Sequence, residues 1–135
     1  MSLRVQDAAL IKTRALPTGA SSVTSDPIDL EHGDRGDVVA EFEVVVEAPA
    51  LAVGQLANAS TMKYDIVGSS NSNMSSPVTL HKECIVQTGA SSAGAIAGTF
   101  VGRLSLDAPR YVAVKATNSA AADASAASVT IALKF

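Results

Sequence analysis

Residues 128–135 read Ser-Val-Thr-Ile-Ala-Leu-Lys-Phe, an alternation with a period of two. In an extended strand Val129, Ile131, Leu133 and Phe135 all point one way, whereas no helix gathers these four on one face. The same period recurs upstream. Over 37–47, Val38, Ala40, Phe42, Val44 and Val46 share one face and Glu41, Glu43 and Glu47 the other. A slip of one residue would bury the glutamates, so the sequence specifies this strand's register strongly.

Turn signals divide the rest into short alternating runs. A weak strand over 8–13 is followed by a loop over 17–22, and a short strand over 28–31 follows Pro27. Residues 32–36 form a turn cluster. Pro49 ends the 37–47 strand, and 50–59 has room for a helical turn. Over 61–67, Met62, Tyr64 and Ile66 oppose Lys63 and Asp65, and a polar Ser/Asn loop fills 68–77. In 78–87, Val78, Leu80, Cys84 and Val86 share a face broken by Lys82, which reads as a guard on an edge strand. After a loop over 88–94, residues 99–106 resume with Phe100, Leu104 and Leu106 in phase. Gly98 and Gly102 share that phase and signal a bulge or the close approach of another backbone. Pro109 opens a run in which Val112, Val114 and Ala116 oppose Tyr111 and Lys115. Residues 118–127 are an Ala/Ser loop; a helix over 119–127 would lack a large apolar face. About eight strands joined without room for crossover helices predict an all-β fold, an antiparallel β-sandwich that is jelly-roll-like. One domain over 1–135 is expected, with an extended N-terminal arm over 1–12.

Composition narrows the function classes. The chain is 47% hydrophobic but only 4% aromatic, with no Trp, so Val and Ala rather than rings fill its sheets. Only 17% of residues are charged and the net charge is −3. That balance argues against a nucleic-acid partner, which requires a Lys/Arg footprint. No apolar run is long enough for a membrane-spanning helix, and the N-terminus lacks the apolar core of a secretory signal. Folding in the cytoplasm is the expectation that follows. Cys84 is the only cysteine, so one chain cannot form an internal disulfide, and its neighbours place it in a strand as a small hydrophobe.

The densest polar constellation is Asp26, Asp29, Glu31, His32, Asp34, Arg35 and Asp37. Closely spaced carboxylates can collect Ca2+, but the spacing lacks the order of an EF-hand loop. Solvated loop charges with Arg35 as counter-ion are therefore the reading adopted, with a cation site as the alternative. Arg35-Gly36-Asp37 spells an integrin-type tripeptide, a match that recurs by chance. His32 and His81 are the only imidazoles, too few for a cupin-type metal centre. Asn58-Ala59-Ser60 and Asn73-Met74-Ser75 match the glycosylation sequon, which carries little without a secretion signal. Gly89, Gly94, Gly98 and Gly102 fit no phosphate-cradling pattern, and no nucleophile elbow is present. The expectation is a protein that is not an enzyme, with no cofactor and no metal.

The segments Thr18-Gly19-Ala20-Ser21-Ser22, Ile28-Asp29-Leu30 and Pro109-Arg110-Tyr111-Val112-Ala113-Val114 lead through an Ala/Ser loop into Val129-Thr130-Ile131-Ala132-Leu133. This order of pieces resembles the capsid cement (decoration) proteins of short-tailed bacteriophages and their prophages. The resemblance implies a virion protein on the outer capsid surface, made in the bacterial cytoplasm, that bridges subunits of the major capsid protein and stabilises the head. A homo-oligomer, a dimer as the simplest case, is the expected state, with no nucleic acid or membrane as partner. Expected contacts lie on the N-terminal arm (Arg4, Lys12), the acidic turn (Asp34, Arg35, Asp37) and the Ser/Asn loop (Asn71, Asn73). A ligand- or receptor-binding sandwich, lectin-like or from a tail or fibre, stays open as the alternative.

Overall fold

The computed structural model describes residues 10–30, 43–104 and 108–134. Among them are nine strands and no α-helix: β1 (Ile11–Ala15), β2 (Ser22–Thr24), β3 (Ile28–Asp29), β4 (Glu43–Ala48), β5 (Thr61–Ser69), β6 (Val78–Thr88), β7 (Gly98–Gly102), β8 (Tyr111–Asn118) and β9 (Ser128–Lys134). One sheet has the order β1-β9-β4-β7; the other has β2-β8-β5-β6, with β3 also on β8. All pairings are antiparallel. β2 meets β8 at Thr117 to Lys115 and β3 meets it at Val112 and Tyr111, so together they fill the place of one interrupted strand. Strands then pair first with last and inward: β1 with β9, β2/β3 with β8, β4 with β7, β5 with β6. That nesting is the strand order of a jelly roll, and the expected antiparallel β-sandwich is observed.

The core lies between the sheets. Val44, Val46, Val129, Ile131 and Leu133 of the first sheet face Met62, Tyr64, Ile66, Ile85, Val112 and Val114 of the second. The alternation in β4, β5, β8 and β9 therefore reads the inner face correctly, and Glu43 and Glu47 are exposed as their phase requires. Val38, Ala40, Phe42 and Phe135 lie outside the described residues.

The sequence phase holds only in part in β6: Leu80 and Cys84 pack against the core as expected, but Val78 and Val86 do not. Ile85 pairs with Tyr64 and Gln87 with Met62, so these two face the core while Val78 and Val86 are exposed. The cause is an irregularity: the register shifts between Tyr64 and Ile66, and Glu83 adopts φ 50. The Asp65 carboxylate accepts the Glu83 backbone N–H at 2.6 Å, and the Lys63 ammonium donates to the Glu83 carboxylate at 2.8 Å. The register slips by two residues there and by one more between Ile66 and Val67, and the odd total moves the inward side from Leu80 to Ile85 and Gln87. β6 is an edge strand with Lys82 exposed, as its sequence suggested. Of the strand expected over 99–106, Gly98–Gly102 is observed and 105–106 lie outside the described residues; β2 arises partly within the expected 17–22 loop.

Between β2 and β3 the ladder is carried by a side chain. Ser25 donates its backbone N–H to the Val114 carbonyl at 2.9 Å, and its hydroxyl accepts the Val114 N–H at 3.1 Å. Val114 is buried, so no water replaces that bond. Ser25→Ala is expected to lower stability to urea by about 1–3 kcal/mol through the orphaned amide and to speed hydrogen exchange at Val114. A variant with parental stability and parental Val114 exchange would contradict this account of the junction.

Candidate functional site

The nested pairing sorts the connections into two ends. At one end lie 16–21 (β1–β2), 49–60 (β4–β5), 89–97 (β6–β7) and 119–127 (β8–β9). By sequence these four connections contain one charged residue, Asp123. The Ser125 hydroxyl, and after it the Ser125 N–H that the Asp123 carboxylate accepts at 2.9 Å, hold the Asp123 pKa below the usual carboxylate value. The remainder is Ala, Ser, Gly and amides, with Ile96 87% and Val53 47% exposed. The sequence between β3 and β4 and between β7 and β8 carries, by contrast, Glu31, Asp34, Arg35, Asp37, Glu41, Arg103, Asp107 and Arg110.

The uncharged end is held by a buried polar network. The Tyr64 hydroxyl donates to Gln87 Oε1 at 2.7 Å, and Gln87 Nε2 donates to the carbonyls of Pro49 and Ile96, each at 2.8 Å. Tyr64 and Gln87 are buried, and desolvation raises the phenol pKa well above its ordinary value, so the hydroxyl stays a donor. One carboxamide thus uses its oxygen and both of its hydrogens to fasten two loops to the second sheet. Leu51 and Ala95 exchange backbone hydrogen bonds at 2.8 Å, Gly89 donates to the Ser60 carbonyl, and the Gly89 carbonyl accepts the Ala59 N–H. Buried Leu51 and Leu56 pin the 49–60 segment from below. The helical turn that 50–59 has room for is present as a single i→i−4 bond from Leu56 to Ala52.

Two glycines make the loop contact possible. A Cβ on Gly89 would collide with the Ala57 carbonyl, and one on Gly94 with the Leu51 carbonyl; Gly94 also has φ +63. Backbone meets backbone here rather than at Gly98 and Gly102, where the sequence suggested it. A Cβ at those two positions would instead meet side chains, Ile85 Cγ2 at 3.0 Å and the Phe100 ring at 2.7 Å.

The residues singled out by sequence are distributed as follows. Asn71 donates Nδ2 to the Ser75 hydroxyl at 2.9 Å, and Asn73 Oδ1 accepts the Ser75 N–H at 3.1 Å. Both amides therefore shape the 70–77 loop, at the end opposite Ile96. Lys12 sits on edge strand β1 opposite Ile131. Arg4, Glu31, His32, Asp34, Arg35 and Asp37 lie outside the described residues. Asp26 is exposed, while Asp29 receives a two-pronged bond from Arg110 at 2.8 and 2.9 Å. The counter-ion of Asp29 is thus Arg110, which also stacks 5.2 Å from the Tyr111 ring centroid. Among the described residues no cluster of His, Cys, Asp and Glu is arranged to hold a metal. His81 is on β6, 5.2 Å from the Phe100 ring, with Nε2 3.1 Å from the Arg103 carbonyl. Cys84 is half-buried and desolvation pushes its thiol up to about 11, as suits a packing residue.

No protein-family model and no curated protein matches the chain.

Sequence reasoning missed Gln87 because the bulge hides its inward phase. Gln87→Leu is expected to cost about 3 kcal/mol, since it orphans one hydroxyl and two carbonyls, and Tyr64→Phe about 1–2 kcal/mol. Urea unfolding measures both. A Gln87→Leu protein as stable as the parent would contradict the network's role.

Proposed function

We propose that the chain is a structural protein of a bacteriophage virion, folded in the host cytoplasm, that binds the outer capsid surface and bridges neighbouring major capsid subunits. The observation that carries this reading is the uncharged, internally fastened end of the sandwich. Burying it against a partner strips water from no ion except Asp123. Protein interface cores are depleted of charge in the same way. Its loops are fixed by the Gln87 bonds and the Leu51–Ala95 pair, so docking orders little new backbone. The identity of the partner rests on the cement-protein resemblance of the sequence; the jelly-roll order is compatible with it but is shared by lectins and cupins. Weak contacts of this kind become effective through repetition around a shell. On this reading Ile96 and Val53 lead the contact set, while Lys12 on β1 and Asn71 and Asn73 at the opposite end lie outside it.

Co-sedimentation with heads stripped of endogenous copies tests the reading. Saturable binding to expanded heads is expected, with Ile96→Lys and Val53→Lys each weakening it at least tenfold and Lys12→Glu having less effect. Absence of binding well above micromolar protein would contradict the capsid role and favour a receptor- or ligand-binding module. Loss on Lys12→Glu with Ile96→Lys unaffected would contradict the assigned orientation.

A further inference from the structure

The sandwich has four sheet edges, and three of them are blunted. On β1, Lys12 and Arg14 stand opposite Ile131 and Val129, whose side chains face the core, so this edge carries inward-pointing charges. β2 and β3 have three and two residues and are interrupted at 25–27. β6 carries Lys82 and the Glu83 bulge. β7 has none of these devices. Its sequence is Gly-Thr-Phe-Val-Gly, it continues regularly along β4 from Gly98 to Gly102, and no charged residue occurs anywhere in 87–102. Beyond the β4 ladder, no backbone group of β7 has a hydrogen-bond partner among the described residues.

The outer face leading to this edge is apolar. Ile11 pairs with Ala132, Ala132 with Val45, and Val45 with Val101, so one apolar row crosses the whole sheet. Val45 is 5% exposed within that row, but Val101 at its open end is 55% exposed. The row stops at β7 with nothing beside it among the described residues.

We propose that the free edge of β7 pairs antiparallel with β7 of a second copy, joining two sheets into one across a two-fold axis near Phe100. In that register Thr99 opposes Val101 of the second copy, so β-forming side chains meet on the outer face. The half-buried Phe100 rings meet on the inner face. The occupant is a second copy because the strand is self-complementary: it carries no charge, so identical edges approach without repulsion, and the interface closes after two. Five residues a side make a small contact, below the roughly 1,000 Å² of a stable interface, so the dimer is weak and concentration-dependent in solution. This pairing leaves the uncharged loop end free and does not depend on the capsid reading.

Sedimentation velocity on the full chain from micromolar to millimolar concentration tests it. The parent is expected to pass from monomer to dimer, and Val101→Lys to raise the dissociation constant at least tenfold. Ile96→Lys, outside β7, is the control and leaves dimerisation unchanged. Thermal unfolding of dilute Val101→Lys and Thr99→Lys checks that each still folds, and the amide of Phe100 in the parent is expected to exchange more slowly as concentration rises. A parent that stays monomeric at millimolar concentration, a dimer indifferent to both lysines, or a dimer abolished by Ile96→Lys would overturn the proposal.

Discussion

The Gln87 carboxamide is the polar group on which the uncharged loop end of this molecule depends. A buried amide without partners is costly, and this one is satisfied on all sides by Tyr64, Pro49 and Ile96. Those partners belong to a core strand and two connections, so a single residue couples the packing of the second sheet to the shape of the loop surface. Gly89 and Gly94 extend the coupling by letting the two loops touch backbone to backbone. The result is a surface of small uncharged side chains held in one arrangement, with Ile96 raised above it.

The jelly-roll pairing decides what that surface can be. Nesting first strand with last sends alternate connections to opposite ends, and the sequence has placed its charges unevenly between them. The same pairing leaves four sheet edges, three of them blunted and one plain. The chain therefore presents two distinct uncharged features, the loop end and the β7 edge. A protein that docks on a surface through one and on its own copy through the other can tie several sites together, which is the arrangement proposed for a shell-stabilising component.

Much of the fold was legible in sequence because period-two patterning and burial are the same physics. Val44, Val46, Met62, Tyr64, Ile66, Val112, Val114, Val129 and Ile131 are all inside, as their phase requires. The pattern failed for Val86 and Gln87 because two register slips interrupt β6, the first at Glu83, which Asp65 and Lys63 on a neighbouring strand hold in a left-handed conformation. Such a bulge depends on a contact 18 residues away in the chain, which local alternation does not encode. The proposed interaction surface was less legible still. Ile96 and Gln87 become meaningful only when the pairing order brings 49–60 and 89–97 together, and no short motif announces that juxtaposition. The charged positions stood out in sequence, whereas the uncharged end is defined by what is shared among four separated loops.

Hydrogen exchange of the chain bound to expanded heads, compared residue by residue with the free chain, tests the central claim most directly. The account predicts new protection concentrated in 50–59 and 89–97, with 70–77 exchanging as in the free chain. Protection centred on 70–77 and β1, with the loop carrying Ile96 unchanged, would contradict it.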